Sequence, residues 1–163
     1  MFNIGQNVLY GANGVCCITD ITNKNIAGND IEYYVLKPIY SDSSTYFLPT
    51  HSSGGQSKIR EVISENELNE IISHLPEIDV WIEDKNERCE LFKNIILHAD
   101  CAQLIRLIRA ILDHEKVQQS KGKHLHIVDE KFLKEAEKMV FDEVSIVLHI
   151  QRENVLELIT NGN

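Results

Sequence analysis

Several absences narrow what this chain can do. No run of eighteen apolar residues occurs, so no membrane-spanning helix is expected. The first residues lack the basic-then-apolar pattern of a secretory leader. The four cysteines (Cys16, Cys17, Cys89, Cys101) form no C-x-x-C pair, and two are adjacent, so in a strand they would face opposite sides. Reduced thiols in a cytoplasmic protein are the expectation, rather than a disulfide framework. Basic residues are scarce: 16 against 25 acids, with a net charge of −9. That excludes a protein that holds nucleic acid by bulk charge, because neutralising phosphates takes lysine and arginine.

Catalytic signatures are missing as well. Gly11-x-x-Gly14 lacks the lysine of a phosphate loop and precedes a strand, and Gly54-Gly55 lies in a serine-rich loop, again without the lysine. There is no G-x-S-x-G and no H-E-x-x-H. His124 and His126 are the only close histidine pair, and no Cys/His cluster supplies further metal ligands at finger spacing. They read as hinge histidines beside Lys121 and Lys123. Glu83-Asp84 falls in a linker, and Asp129-Glu130 at a helix start, where capping accounts for it. Cys89 and Cys101 sit on apolar helix faces as core or semi-core residues. The chain is not expected to be an enzyme or to carry a cofactor or metal.

What is present changes period along the chain. "NVLY", "VCCITDI", "IEYYVLKPIY" and "TYFLP" are short β-branched and aromatic runs separated by turn chemistry. Asn13-Gly14 predicts one tight hairpin, Gly28-Asn29 a second, and "YSDSS" a third connection. Four or five such strands predict a small bent antiparallel sheet or barrel. From residue 63 the period is helical. Ser64 and Glu67 form a capping pair ahead of Leu68, Ile71, Ile72 and Leu75, and Pro76 stops that helix. "PEIDV" reads as an acidic linker. A second helix is predicted over 84–97, with Leu91, Phe92, Ile95 and Ile96 apolar. Asp100 and Gln103 cap a third, with Leu104, Ile105, Ile108, Ile111 and Leu112 apolar. "QQSKGKHLHIV" is a polar hinge. Asp129 is predicted to cap a last long helix with the stripe Leu133, Ala136, Val140, Val144, Val147 and Leu148, which residues 151–163 would extend and fray. The fold class is therefore α+β with two domains: a β domain over 1–62, a closing helix and linker over 63–83, and an all-α domain over 84–163.

Binding is the remaining class of function. Segment 20–36 is the candidate sheet edge for a partner, with "TNKNIAGND" as its exposed loop. Ile26 is apolar in an otherwise polar turn, as a partner contact or as a local staple. Charge is uneven: residues 85–126 carry eight basic and five acidic side chains, so any nucleic-acid contact centres there. Trp81, the single tryptophan, lies between Asp79 and Glu83 just before that section. It either fills a gap between the two modules or serves as an apolar wedge beside a phosphate-binding face.

In order, "FNIGQNVLYGANGVCCITDI", "NIAGNDIEYYVLKP", "YFLPT", "IREVIS" with "ELNEIISHL", "LIRAIL" and "DEKFLKEAEKMVFDEV" resemble the CarD/CdnL family of bacterial transcription regulators over nearly the whole chain. The resemblance implies a Tudor-like (SH3-like) bent barrel that binds the RNA polymerase β subunit through a sheet-edge contact. It also implies a helical domain that touches promoter DNA near the upstream edge of the bubble and stabilises the open complex without reading sequence. Lys24, Asn25, Ile26 and Phe47 then fall at the polymerase-binding face, Phe47 standing where some members carry a second basic residue. Trp81, Arg88, Arg109 and Lys131 fall at DNA-contacting positions, with Trp81 a few residues earlier relative to Arg88 than in the actinobacterial pattern. A monomer is expected. The alternative is an adaptor whose helical domain binds another protein rather than DNA.

Overall fold

A computed structural model describes residues 1–41, 44–51, 59–75 and 79–161. Pro76, Gly54-Gly55, the centre of the "YSDSS" connection and the start of the "PEIDV" linker lie outside the described residues. The chain divides into two compact units, Met1–Val62 and Ile63–Asn163.

The first unit is an antiparallel sheet of five strands: β1 (Asn7–Leu9), β2 (Val15–Ile26), β3 (Asn29–Pro38), β4 (Tyr46–Pro49) and β5 (Arg60–Glu61), in the order β4-β3-β2-β1-β5. No β4–β5 pairing is among the described ladders. Strand alternation puts Val8, Cys16, Ile18, Tyr34 and Leu36 on one face, where they bury with Ile59. Cys16 is buried and Cys17, on the opposite side, is half-buried.

Two turns differ from expectation. Between β1 and β2 the chain makes a 3-10 turn over Gly11–Asn13, closed by the Tyr10 N–H donating to the Gly14 carbonyl at 2.9 Å. The left-handed positions are Gly11 (φ +47) and Gly14 (φ +79), not Asn13, so the loop is longer than a two-residue hairpin. Between β2 and β3 the turn pair is Ala27-Gly28, one residue earlier than predicted, with φ +53 and +83. Positive φ at both centres is the turn that matches strand twist, and Ile26↔Asn29 pairing fixes it there. An alanine at left-handed φ costs on the order of 1–2 kcal/mol. Ala27→Asn, which suits that conformation, is expected to stabilise the sheet unit by about 1 kcal/mol in urea unfolding. A loss of stability would show that the turn is not left-handed at this position.

The second unit comprises α1 (Glu65–His74), α2 (Lys85–His98), α3 (Cys101–Ser120), α4 (Ile127–Leu148) and α5 (Val155–Asn161). The expected caps at Ser64 and Asp100 are formed: their side chains accept the amides of Glu67 at 3.3 Å and Gln103 at 2.9 Å. Asp84, read as linker, caps α2 by accepting from Asn86 and Glu87, both at 2.9 Å. Helix α3 runs through Ser120, so "QQS" is helical and the connection to α4 is residues 121–126. The α4 prediction is corrected at both ends. Its cap is His126, whose Nδ1 accepts from the Val128 amide at 3.2 Å, while Asp129 lies inside the first turn and is buried. Its C-terminus is His149 at φ +54, after which a 3-10 turn over Arg152–Asn154 leads into the separate helix α5. Residues 151–161 therefore do not extend α4.

Leu104, Ile105, Leu107, Ile108 and Ile111 of α3 are all buried. Burial at neighbouring as well as i+4 positions makes α3 the central helix of this unit. Phe92 and Ile95 of α2, Ala136, Met139, Val140 and Val144 of α4, and Val155 and Ile159 of α5 complete the core. Among the described residues no helix is long and apolar enough to cross a membrane.

Candidate functional site

The exposed face of the sheet is set by a β-bulge. Ile18 pairs with Leu36, but the next pair is Asp20↔Val35, so Thr19 is the extra residue. Its Oγ1 donates to the Val35 carbonyl at 3.2 Å. Before the bulge the even-numbered residues of β2 point to the core, as Cys16 and Ile18 do. After it they point away, and Ile21 packs against the core instead. Lys24 and Ile26 thus share the outer face with Ile31, Tyr33 and Val35 of β3 and Phe47 of β4, through the pairs Lys24↔Ile31 and Val35↔Phe47.

Three of the four residues expected at a polymerase-binding face meet there. Lys24 Nζ lies 3.1 Å from the Phe47 ring centroid, a cation–π contact across the sheet. Ile26 and Phe47 remain 49% and 45% exposed, which is unusual for apolar residues of that size within one small face. Asn25 points to the other side, where its Nδ2 donates to Asp30 Oδ1 at 2.7 Å and ties the hairpin. The outer strands of the sheet order are β4 and β5, but β1 pairs only with Val15–Cys17, so residues 20–26 of β2 are paired on one side alone, by β3, among the described ladders. The far end of segment 20–36, beyond the residues that β1 and β4 reach, is a two-stranded ribbon carrying Lys24 and Ile26.

The second candidate site is built around Trp81. Its amide donates to Asp79 Oδ1 at 2.8 Å. The indole stacks on His114 of α3 with centroids 3.6 Å apart, meets Phe92 of α2 edge-on, and carries the Arg88 guanidinium 4.3 Å from its centroid. All three neighbours belong to the helical unit. Nε1 is buried and has no hydrogen-bond partner among the described residues. Arg88 is only 6% exposed. It donates through Nε and Nη2 to the two oxygens of Asp129, at 3.1 and 3.0 Å, and through Nη1 to the carbonyls of Ile82 and Glu83, at 2.7 and 3.1 Å. The bidentate pair fastens the start of α2 to the first turn of α4, and the Nη1 bonds hold the segment that carries Trp81.

The other residues expected at DNA scatter. Arg109 turns inward, its Nε donating to the Ile159 carbonyl at 2.6 Å, where it satisfies the end of α5. Lys131 is exposed, 3.8 Å from Glu135. His126 caps α4 with one nitrogen and lies 3.1 Å from Lys85 Nζ with the other, and His124 is exposed. Among the described residues no group of three or more His, Cys, Asp or Glu is placed to hold a metal ion. Sequence reasoning missed Asp129 as the partner of Arg88 and His114 as the platform for Trp81. His114 follows Ile111 by three residues on the apolar stripe of α3, so its inward position was visible there. The Arg88–Asp129 pair joins residues 41 apart and left no local signal.

No curated protein matches the chain significantly. A family model described as the CarD-like/TRCF RID domain matches residues 2–63, which span the whole sheet unit. The match identifies the sheet unit as a CarD-like/TRCF RID domain and does not extend over the helical unit.

Proposed function

We propose that the chain is a non-catalytic transcription regulator. Its sheet unit binds the RNA polymerase β subunit, and its helical unit contacts promoter DNA, without reading sequence, near the upstream edge of the bubble and prolongs the open complex. The observation that carries this reading is the domain match over residues 2–63, since this domain family is one of transcription-related interaction with polymerase. The exposed Ile26 and Phe47 flanking the Lys24 ammonium support it, as an apolar contact with a cation at its centre. The same reading takes the sheet as a Tudor-like bent barrel and the protein as a cytoplasmic monomer without a cofactor. With a net charge of −9, the helical unit holds DNA weakly by itself, and polymerase supplies the local concentration that makes the contact effective.

A second reading, in which the helical unit binds another protein, is favoured by one feature: Arg88 and Arg109 are both engaged internally. One experiment separates the two. The wild-type chain is expected to co-purify with the polymerase β subunit and to lengthen the half-life of a heparin-challenged open complex several-fold. Absence of association would sink the polymerase reading. Association with an unchanged half-life would favour the protein adaptor.

A further inference from the structure

We infer that the DNA contact is made by Lys85, Lys121 and Lys123, gathered at the Trp81 end of the helical unit, and not by Arg88 and Arg109. The inference rests on the DNA reading above and assigns its phosphate-binding residues. The start of α2, the end of α3 and the start of α4 meet at this end. A chain of contacts shows it: Trp81 on His114, His114 Nε2 3.0 Å from Gln118 Nε2, the Lys123 amide donating to the Gln118 carbonyl at 2.9 Å, and Lys85 Nζ 3.1 Å from His126 Nε2.

Charge at the end of α3 and in its connection to α4 is one-sided. From Lys116 to Val128 the sequence "KVQQSKGKHLHIV" has three lysines, two histidines and no acid. Four of the nearby carboxylates are engaged, while Glu83 and Glu87 lie exposed on either side of Lys85. Asp84 accepts two amides of α2, Asp113 holds Lys116 at 2.9 Å, Asp129 holds Arg88, and Glu130 holds Lys134 at 2.8 Å. Lys85, Lys121 and Lys123 are exposed and have no carboxylate partner among the described residues. Gly122, at φ +68, turns the chain between two of them. A phosphodiester backbone fits this set, because flexible ammonium groups contact successive phosphates without demanding base geometry. Arg88 and Arg109 already donate to internal oxygens, and an outward turn would leave Asp129 and the end of α5 without partners.

The test is the salt dependence of binding of the full chain to a fluorescent DNA duplex, followed by anisotropy from low salt upward. Each phosphate contact contributes about −0.9 to the slope of log K against log salt. The variant K85Q/K121Q/K123Q is expected to flatten the slope by roughly 2–3 and to weaken low-salt binding at least tenfold. K121Q/K123Q, which leaves the Lys85–His126 contact intact, should flatten it by about 2 with an unchanged melting temperature. Wild-type binding with the same slope in both variants would overturn the assignment while leaving the DNA reading standing. No anisotropy change for the wild type at low salt would overturn the DNA reading itself.

Discussion

Replacing Arg88 with methionine is expected to destabilise the helical unit by about 3–5 kcal/mol, the range for removing one partner of a buried ion pair. The cause is less the lost attraction than what remains. Asp129 is 2% exposed, and without the guanidinium its carboxylate has no cation beside it in the core. The carbonyls of Ile82 and Glu83 lose their donor at the same time, so the segment carrying Trp81 loosens from α2. Urea unfolding followed by helical circular dichroism and by Trp81 fluorescence should show both effects, the second as altered native-state emission, since Arg88 lies over the indole. R88M/D129L should recover much of the loss, because an apolar pair of similar volume removes both charges together. If Arg88→Met costs under about 1 kcal/mol, the guanidinium is not structurally committed and returns as a candidate for phosphate.

What was legible in the sequence was local. Ser64 and Asp100 announced their caps by spacing alone, and the apolar stripes of α2 and α3 gave those helices to within a few residues. The failures share a physical origin in contacts made at a distance. Asp129 looks like a cap because acids favour first turns, yet its partner is Arg88 on another helix. The turn at Ala27-Gly28 was placed one residue late because asparagine suits left-handed turns, while the register of β2 on β3 decided the position. The bulge at Thr19 is invisible in an alternation pattern, although it decides that Lys24 and Ile26 face away from the core. Likewise, the sequence placed Asn25 with its neighbours, and only the pleat separates it from them. In the helical unit the basic section was legible as a stretch, but which of its cations are free depended on which carboxylates the fold had already paired.

Ile26→Asp is expected to weaken association with the polymerase β subunit by about 2–3 kcal/mol, on the order of 30–100-fold, the cost of truncating a central contact. Ile26 is half exposed at the end of the ribbon, so its replacement removes no core contact, and the melting temperature should hold within a degree or two. Asn25→Ala is the internal control. That side chain lies on the opposite face in contact with Asp30, and it should change affinity by less than about 0.5 kcal/mol. Phe47 gives the intermediate case. It supplies exposed apolar area and also holds the Lys24 ammonium 3.1 Å above its ring, worth about 0.5–1 kcal/mol at an exposed site. Phe47→Leu keeps most of the area and loses the contact with the cation, so a drop there, absent in a Lys24→Met background, would show that the two side chains act as one unit. Equal affinity of wild type and Ile26→Asp would remove this face from the interface and move the contact to the strand edge of β4, where the backbone of Tyr46–Pro49 is unpaired on its outer side among the described residues.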